Sequence, residues 1–94
     1  MVRVKMLGTI KDASGKEEEE LVLPDETHVA RVLQRLTHEY GKKLNEVLLD
    51  QMLGSPLPNT LILLNGVEIN NLDGLETPVR DGDTLILLPV AHGG

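Results

Sequence analysis

The sequence predicts an α+β domain, a sheet of about four to five strands with one main helix packed on one face. Val29, Val32, Leu33, Leu36 and Tyr40 recur at i, i+3, i+4, i+7 and i+11, the stripe of an amphipathic helix. Short stretches rich in Val, Ile and Leu lie on both sides of it without that period. Asn65-Gly66 separates two of them, and Asn-Gly between apolar runs is the strongest short hairpin signal. A single helix covers only one face of such a sheet, so the other face must meet something else.

Taken in order, Met1 to Leu7 alternates Val2, Val4 and Met6 with Arg3, Lys5 and Leu7, as a half-buried strand does. Asp12 to Lys16 reads as a turn. Glu17 to Leu23 is extended again up to Pro24, and Glu17-Glu18-Glu19-Glu20 reads as a solvated strand edge whose charge discourages stray pairing. The helix is expected to be capped by Thr27 or Asp25 and stopped by Gly41. His28 and His38 lie off its apolar stripe and are expected to be exposed, with no third ligand spaced to make a metal site. Leu44, Val47 and Leu48 suggest a short second helical turn, and Ser55 to Asn59 a rigid loop, the segment from Lys42 covering one end of the core.

In the hairpin, a two-residue loop sets Leu64 opposite Val67 and Ile62 opposite Ile69 on one side of the sheet. Leu61 and Leu63 then share the other side with Glu68. Asn70 to Asp83 reads as loop, its Asp81-Gly82-Asp83 turn leading into the last strand, Leu85 to Leu88. Pro89 cannot donate to a ladder and should end it. The expected division is a domain over residues 1–88 and a tail over 89–94 with reach of roughly 20 Å when extended.

Composition narrows the function. The 94 residues suit one modest core, and with no Phe, no Trp and one Tyr that core must be aliphatic. Fifteen acidic against nine basic residues give a net charge of −6, which argues against nucleic acid and anionic membrane as partners and for a partner with a basic face. No apolar run approaches a membrane span or a signal peptide, so a cytoplasmic location is expected. The absence of cysteine excludes disulfides, thiolate metal sites and a Cys nucleophile. The ending Gly93-Gly94 has no side chain to hinder passage through a narrow channel or attack on the terminal carbonyl.

From Gly74 to Gly94 the sequence GLETPVRDGDTLILLPVAHGG resembles the MoaD/ThiS sulfur-carrier family, whose members are ubiquitin-like β-grasp proteins with a mixed sheet. The shared features are the Asp-Gly-Asp turn, the apolar strand, the tail with its proline and the Gly-Gly end; in element order the resemblance runs nearly full length. Two details differ. Tails of the molybdopterin-synthase type often carry two prolines and a small residue where this chain has Leu88-Pro89 and His92, and a His-Gly-Gly ending resembles the eukaryotic ubiquitin-related modifier of tRNA thiolation.

The resemblance implies a carrier and co-substrate instead of an enzyme, in which the Gly94 carboxylate, preceded by Gly93, is adenylated by a ubiquitin-activating-type enzyme using ATP and Mg²⁺. A thiocarboxylate would follow, with sulfur passed to a molybdopterin precursor in a synthase large subunit, or to a thiamine or tRNA pathway. The alternatives are a modifier joined through Gly94 to target-protein lysines, and a binding module whose Gly-Gly is inert. No cofactor or metal is expected on the chain itself. Leu61 and Leu63 by hairpin parity, and Ile86 and Leu88 by the resemblance, form the expected partner face, continued by Pro89, Val90, Ala91 and His92 of the tail.

Overall fold

In the computed structural model, which describes residues 1–50, 55–56 and 60–90, β1 (Val2–Met6) is followed by α1 (Gly8–Ser14) and β2 (Glu18–Leu21). Next come β3 (Thr27–His28), α2 (Val29–Tyr40), α3 (Lys42–Leu48), β4 (Leu49–Asp50) and β5 (Ser55–Pro56). The chain continues through β6 (Thr60–Leu64), β7 (Val67–Glu68), 3₁₀ turns at Ile69–Asn71 and Gly74–Glu76, β8 (Pro78–Val79) and β9 (Thr84–Pro89). The main sheet has the order β2-β1-β9-β6-β7, with β1 and β9 parallel and every other pair antiparallel. It is therefore a mixed sheet of five strands.

Alternation along the strands builds the core. Val2, Val4 and Met6 of β1, Ile62 and Leu64 of β6, and Leu85 and Leu87 of β9 are buried on one face. Val29, Val32, Leu33 and Leu36 of α2 close over them, and the aliphatic cluster is completed by Ile10, Leu44 and Leu48. Burying a leucine or valine stabilises by roughly 1.5–3 kcal/mol, so this face holds the fold together. The Asn-Gly signal is realised: Asn65 and Gly66 both have positive φ, 50° and 86°, and Leu64 pairs with Val67.

Several expectations are corrected. The stretch read as a turn at Asp12–Lys16 is mostly helix, because α1 runs to Ser14 and only Gly15, left-handed at φ 78°, ends it. The main helix is joined by α1 and α3, which contribute Ile10, Leu44 and Leu48 to the core. Neither Thr27 nor Asp25 caps α2, which begins at Val29 after His28 without a side-chain cap. Thr27 is held in β3 against Val79, and the Val29 amide donates instead to the Thr77 carbonyl at 3.0 Å, so a distant backbone group does the capping.

Asn70–Asp83 is not all loop, since it contains the second 3₁₀ turn and β8. Ser55–Pro56, expected in a loop, forms a short strand paired with Leu49–Asp50; Leu57 to Asn59 lie outside the described residues. Ile69 leaves the ladder for a 3₁₀ turn, so it does not pair with Ile62, although it is buried. Val67 is 44% exposed despite facing as Leu64 does, because β7 is only two residues long at the sheet edge. His28 is half-buried, and its Nδ1 is enclosed with no hydrogen-bond partner, whereas His38 is exposed as expected.

Candidate functional site: an apolar sheet face leading into the tail

The face of the sheet away from the helices carries the alternate residues of the same strands. Leu61 pairs with Leu88 and Leu63 with Ile86, and all four are half-buried while their neighbours Ile62, Leu64, Leu85 and Leu87 are buried. The structure thus brings the four sequence-predicted residues together on two adjacent strands. Charge borders the patch on both sides. Lys5 lies beside Ile86 in the parallel pair, and Glu68 lies beside Leu63 in the hairpin. Further out, Arg3 is gripped by Glu18 at 2.7 Å and Glu20 at 3.4 Å, which accounts for half of the acidic run on edge strand β2.

The ends of β6 and β9 far from the tail are locked to each other. Asn65 Nδ2 donates to Asp83 Oδ1 at 3.0 Å, and the Thr84 amide donates to Asn65 Oδ1 at 2.9 Å. Asp83 Oδ2 also accepts from the Arg80 amide at 2.8 Å, closing the Asp-Gly-Asp turn around Gly82. The turn motif is therefore a clamp that sets the register of the two strands bearing the patch.

At the opposite end, Pro89 is the last residue of β9 and pairs with Thr60, so the ladder includes the first residue of the expected tail. Gly8, at φ 57°, opens α1 directly against it: a Cβ on Gly8 would lie 2.6 Å from Pro89 Cγ, closer than carbon atoms approach. Sequence reasoning passed over Gly8, and its importance shows only once α1 is folded onto β9. Val90 is exposed; Ala91, His92, Gly93 and Gly94 lie outside the described residues. Among the described residues no three His, Cys, Asp or Glu side chains converge as a metal site, and no helix is long and apolar enough to cross a membrane.

A second polar contact ties the sheet edge to α2. The Tyr40 hydroxyl donates to Glu19 Oε2 at 2.5 Å, and burial first, then this bond, pushes the phenol far above its ordinary range. Glu39 beside it is also raised, chiefly through its hydrogen bond to Glu19. These groups sit across the molecule's edge from the apolar patch.

β9 thus alternates buried Leu85 and Leu87 with half-buried Ile86 and Leu88 beside the matching strand β6, and it ends at Pro89. The ThiS family model matches residues 4–94. The chain belongs to the ThiS family. It is 28% identical to small archaeal modifier protein 3 of Haloferax volcanii over 99% of this chain and 98% of that one. It is 33% identical to a candidate sulfur carrier protein of Archaeoglobus fulgidus over 70% of this chain and 73% of the other. The solution structure of small archaeal modifier protein 1 from Methanosarcina acetivorans superposes with a TM-score of 0.79 at 31% identity, covering 99% of this chain and 95% of that one. The fold is the ubiquitin-like β-grasp, and the chain is a small carrier or modifier and not a catalyst.

Proposed function

We propose that this chain is a sulfur carrier whose Gly94 carboxylate is activated by adenylation and converted to a thiocarboxylate. The observation that carries the reading is that β9, which bears the half-buried Ile86 and Leu88, runs to Pro89 at the start of the tail, with the family match extending to Gly94. The carboxylate oxygen attacks the α-phosphorus of ATP, held with Mg²⁺ by a ubiquitin-activating-type partner, and pyrophosphate leaves. A persulfide sulfur then displaces AMP from the acyl carbon, and a thiol cleaves the resulting acyl disulfide to release the thiocarboxylate. Gly93 and Gly94 supply the unhindered backbone this requires. Leu61, Leu63, Ile86 and Leu88 dock the partner, while Pro89, Val90, Ala91 and His92 lead the terminus into its active site. The use of ATP accords with a cytoplasmic location.

The resemblance of Gly74–Gly94 to the MoaD/ThiS family supports a molybdopterin precursor, the commonest acceptor in that family, although the tail departs from the molybdopterin-synthase type; tRNA thiolation is the alternative that the His92-Gly93-Gly94 ending favours. The similarity to archaeal modifier proteins supports a second reading, conjugation of Gly94 to lysines of target proteins. ATP–pyrophosphate exchange with the activating enzyme of the source organism tests the shared first step. Deleting Gly94 should abolish exchange and leave the melting temperature unchanged, since a terminal residue beyond the ladder adds little to stability. Undiminished exchange by the shortened chain would overturn the proposal.

A further inference from the structure

The solvent face of α2 carries a pattern that the carrier reading does not use. Helical residues advance by about 100° each, so Arg31, Arg35 and His38 fall on one narrow stripe, opposite the buried Val29, Val32, Leu33 and Leu36. At Gly41 the helix breaks, and Lys42 opens α3 just past it. The positions between and beside these, Gln34, Thr37 and Asn45, are uncharged. In a chain with 15 acidic residues this face holds none, and Glu39 is the only carboxylate in α2, on its flank towards Glu19.

The stripe also has relief. A groove of about 310 Å³ lies between α2 and the segment after β2, lined by Leu23, Pro24, Arg31, Gln34, Arg35 and His38. Gln34 and His38 also line a second depression of about 400 Å³ that reaches Lys42 and Asn45. Among the described residues, neither Arg31 nor Arg35 has a carboxylate within ion-pair distance, and Lys42 has only Glu46 at 3.9 Å. Two guanidinium groups with no carboxylate in ion-pair range among the described residues, Arg35 drawn to Glu39 only from further off, stand beside a half-buried leucine and an exposed proline as a cationic wall over an apolar floor. Guanidinium groups suit carboxylates in particular, because their fork matches two oxygens.

We propose that this groove is a second docking surface, for an extended acidic segment of a partner protein carrying an apolar side chain. Along α2 the stripe from Arg31 to His38 spans roughly 10 Å at about 1.5 Å per residue, the length of about three extended residues. Two other occupants fit less well. A nucleic acid carries phosphates along its whole length and would run them past the short cationic stripe towards neighbouring acidic positions such as Asp25, Glu26 and Glu46, whereas a short acidic segment stays on the stripe. A second copy's Glu17–Glu20 run is already engaged within its own chain by Lys11, Arg3 and Lys16. Because the groove lies on the helix side and the apolar patch on the open sheet face, both can be occupied at once. The proposal is independent of the chemistry at Gly94.

The test is an NMR titration of the isotope-labelled full chain with the peptide acetyl-Asp-Glu-Leu-Asp-Glu-amide, its Asn/Gln counterpart, and a single-stranded oligonucleotide. Saturable shifts confined to Leu23–Pro24 and Arg31–Asn45 are expected with the acidic peptide alone, weakening as salt is raised. The Arg31→Glu/Arg35→Glu variant should lose at least tenfold in affinity, and Lys5→Glu, a charge reversal on the open sheet face, should bind as the parent does. Absence of saturable shifts, binding undiminished in the double variant, tighter binding of the oligonucleotide, or self-association that these two substitutions abolish would each overturn the proposal.

Discussion

Truncating Leu87 to alanine examines the alternation on which the proposed docking face of β9 depends. Leu87 is fully buried in β9, with Met6 of β1 on one side and Ile62 of β6 on the other. Leu→Ala removes the equivalent of about three methylene groups at about 0.8 kcal/mol each, near 2.4 kcal/mol for transfer alone. A central strand hydrogen-bonded on both sides cannot collapse into the void, so the cavity raises the expected loss to about 3–5 kcal/mol. Leu88, the next residue, is half-buried on the open face, and Leu88→Ala should cost about 1 kcal/mol. Urea denaturation measures both, and for a domain of this size the Leu87 variant should melt at least about 12 °C lower. Equal losses, or a larger one at Leu88, would show that the two faces of β9 had been assigned the wrong way round.

Other expectations follow from single contacts. Leu63→Asp and Leu88→Asp should abolish binding to the activating enzyme while the variants still melt cooperatively; normal binding by both would remove the patch as the docking face. Gly8→Ala should destabilise by about 1–3 kcal/mol in thermal melts through its clash with Pro89 and its left-handed backbone. Adding Pro89→Ala should restore part of that loss, and no restoration would mean the clash is not its source. The only tyrosine can be titrated by its absorbance. Its folded form holds the proton, so the stability it contributes is complete below the ordinary phenol pKa of about 10 and declines as pH rises above it. Phenolate should therefore appear together with alkaline unfolding, and Tyr40→Phe should cost about 1–2 kcal/mol by denaturation. Ionisation near pH 10 without unfolding would contradict the bond to Glu19.

What could be read from the sequence was what repeats or punctuates strongly. The α2 stripe and the Asn65-Gly66 turn each rest on several residues in register, and each is realised. Hairpin parity placed Leu61 and Leu63 on the open face, while Ile86 and Leu88, in a run of four apolar residues with no alternation to read, were placed there by the family resemblance. The short helix α1 was illegible for a physical reason: seven residues with Ile10 alone buried show no period, and Asp12, Ser14 and Gly15 serve a turn as well as a helix end. The start of α2 was misread because its first amide is satisfied by Thr77, forty-eight positions on, and not by its neighbours. β3 and β8 are two-residue pairings made only by tertiary contact, too short to leave a pattern. Likewise the bond from Tyr40 to Glu19 joins residues that nothing local associates.

The account's central claim is chemical, and the intact mass of the protein purified from its own cells tests it most directly. A population in which one terminal oxygen is replaced by sulfur is expected, lost when Gly94 is deleted and reverting to the carboxylate form on hydrolysis. A terminus that is always the plain carboxylate, under conditions where the activating enzyme and a sulfur donor are present, would contradict the sulfur-carrier reading. If Gly94 were instead recovered in isopeptide linkage to lysines of other proteins, conjugation would be the function that the tail serves.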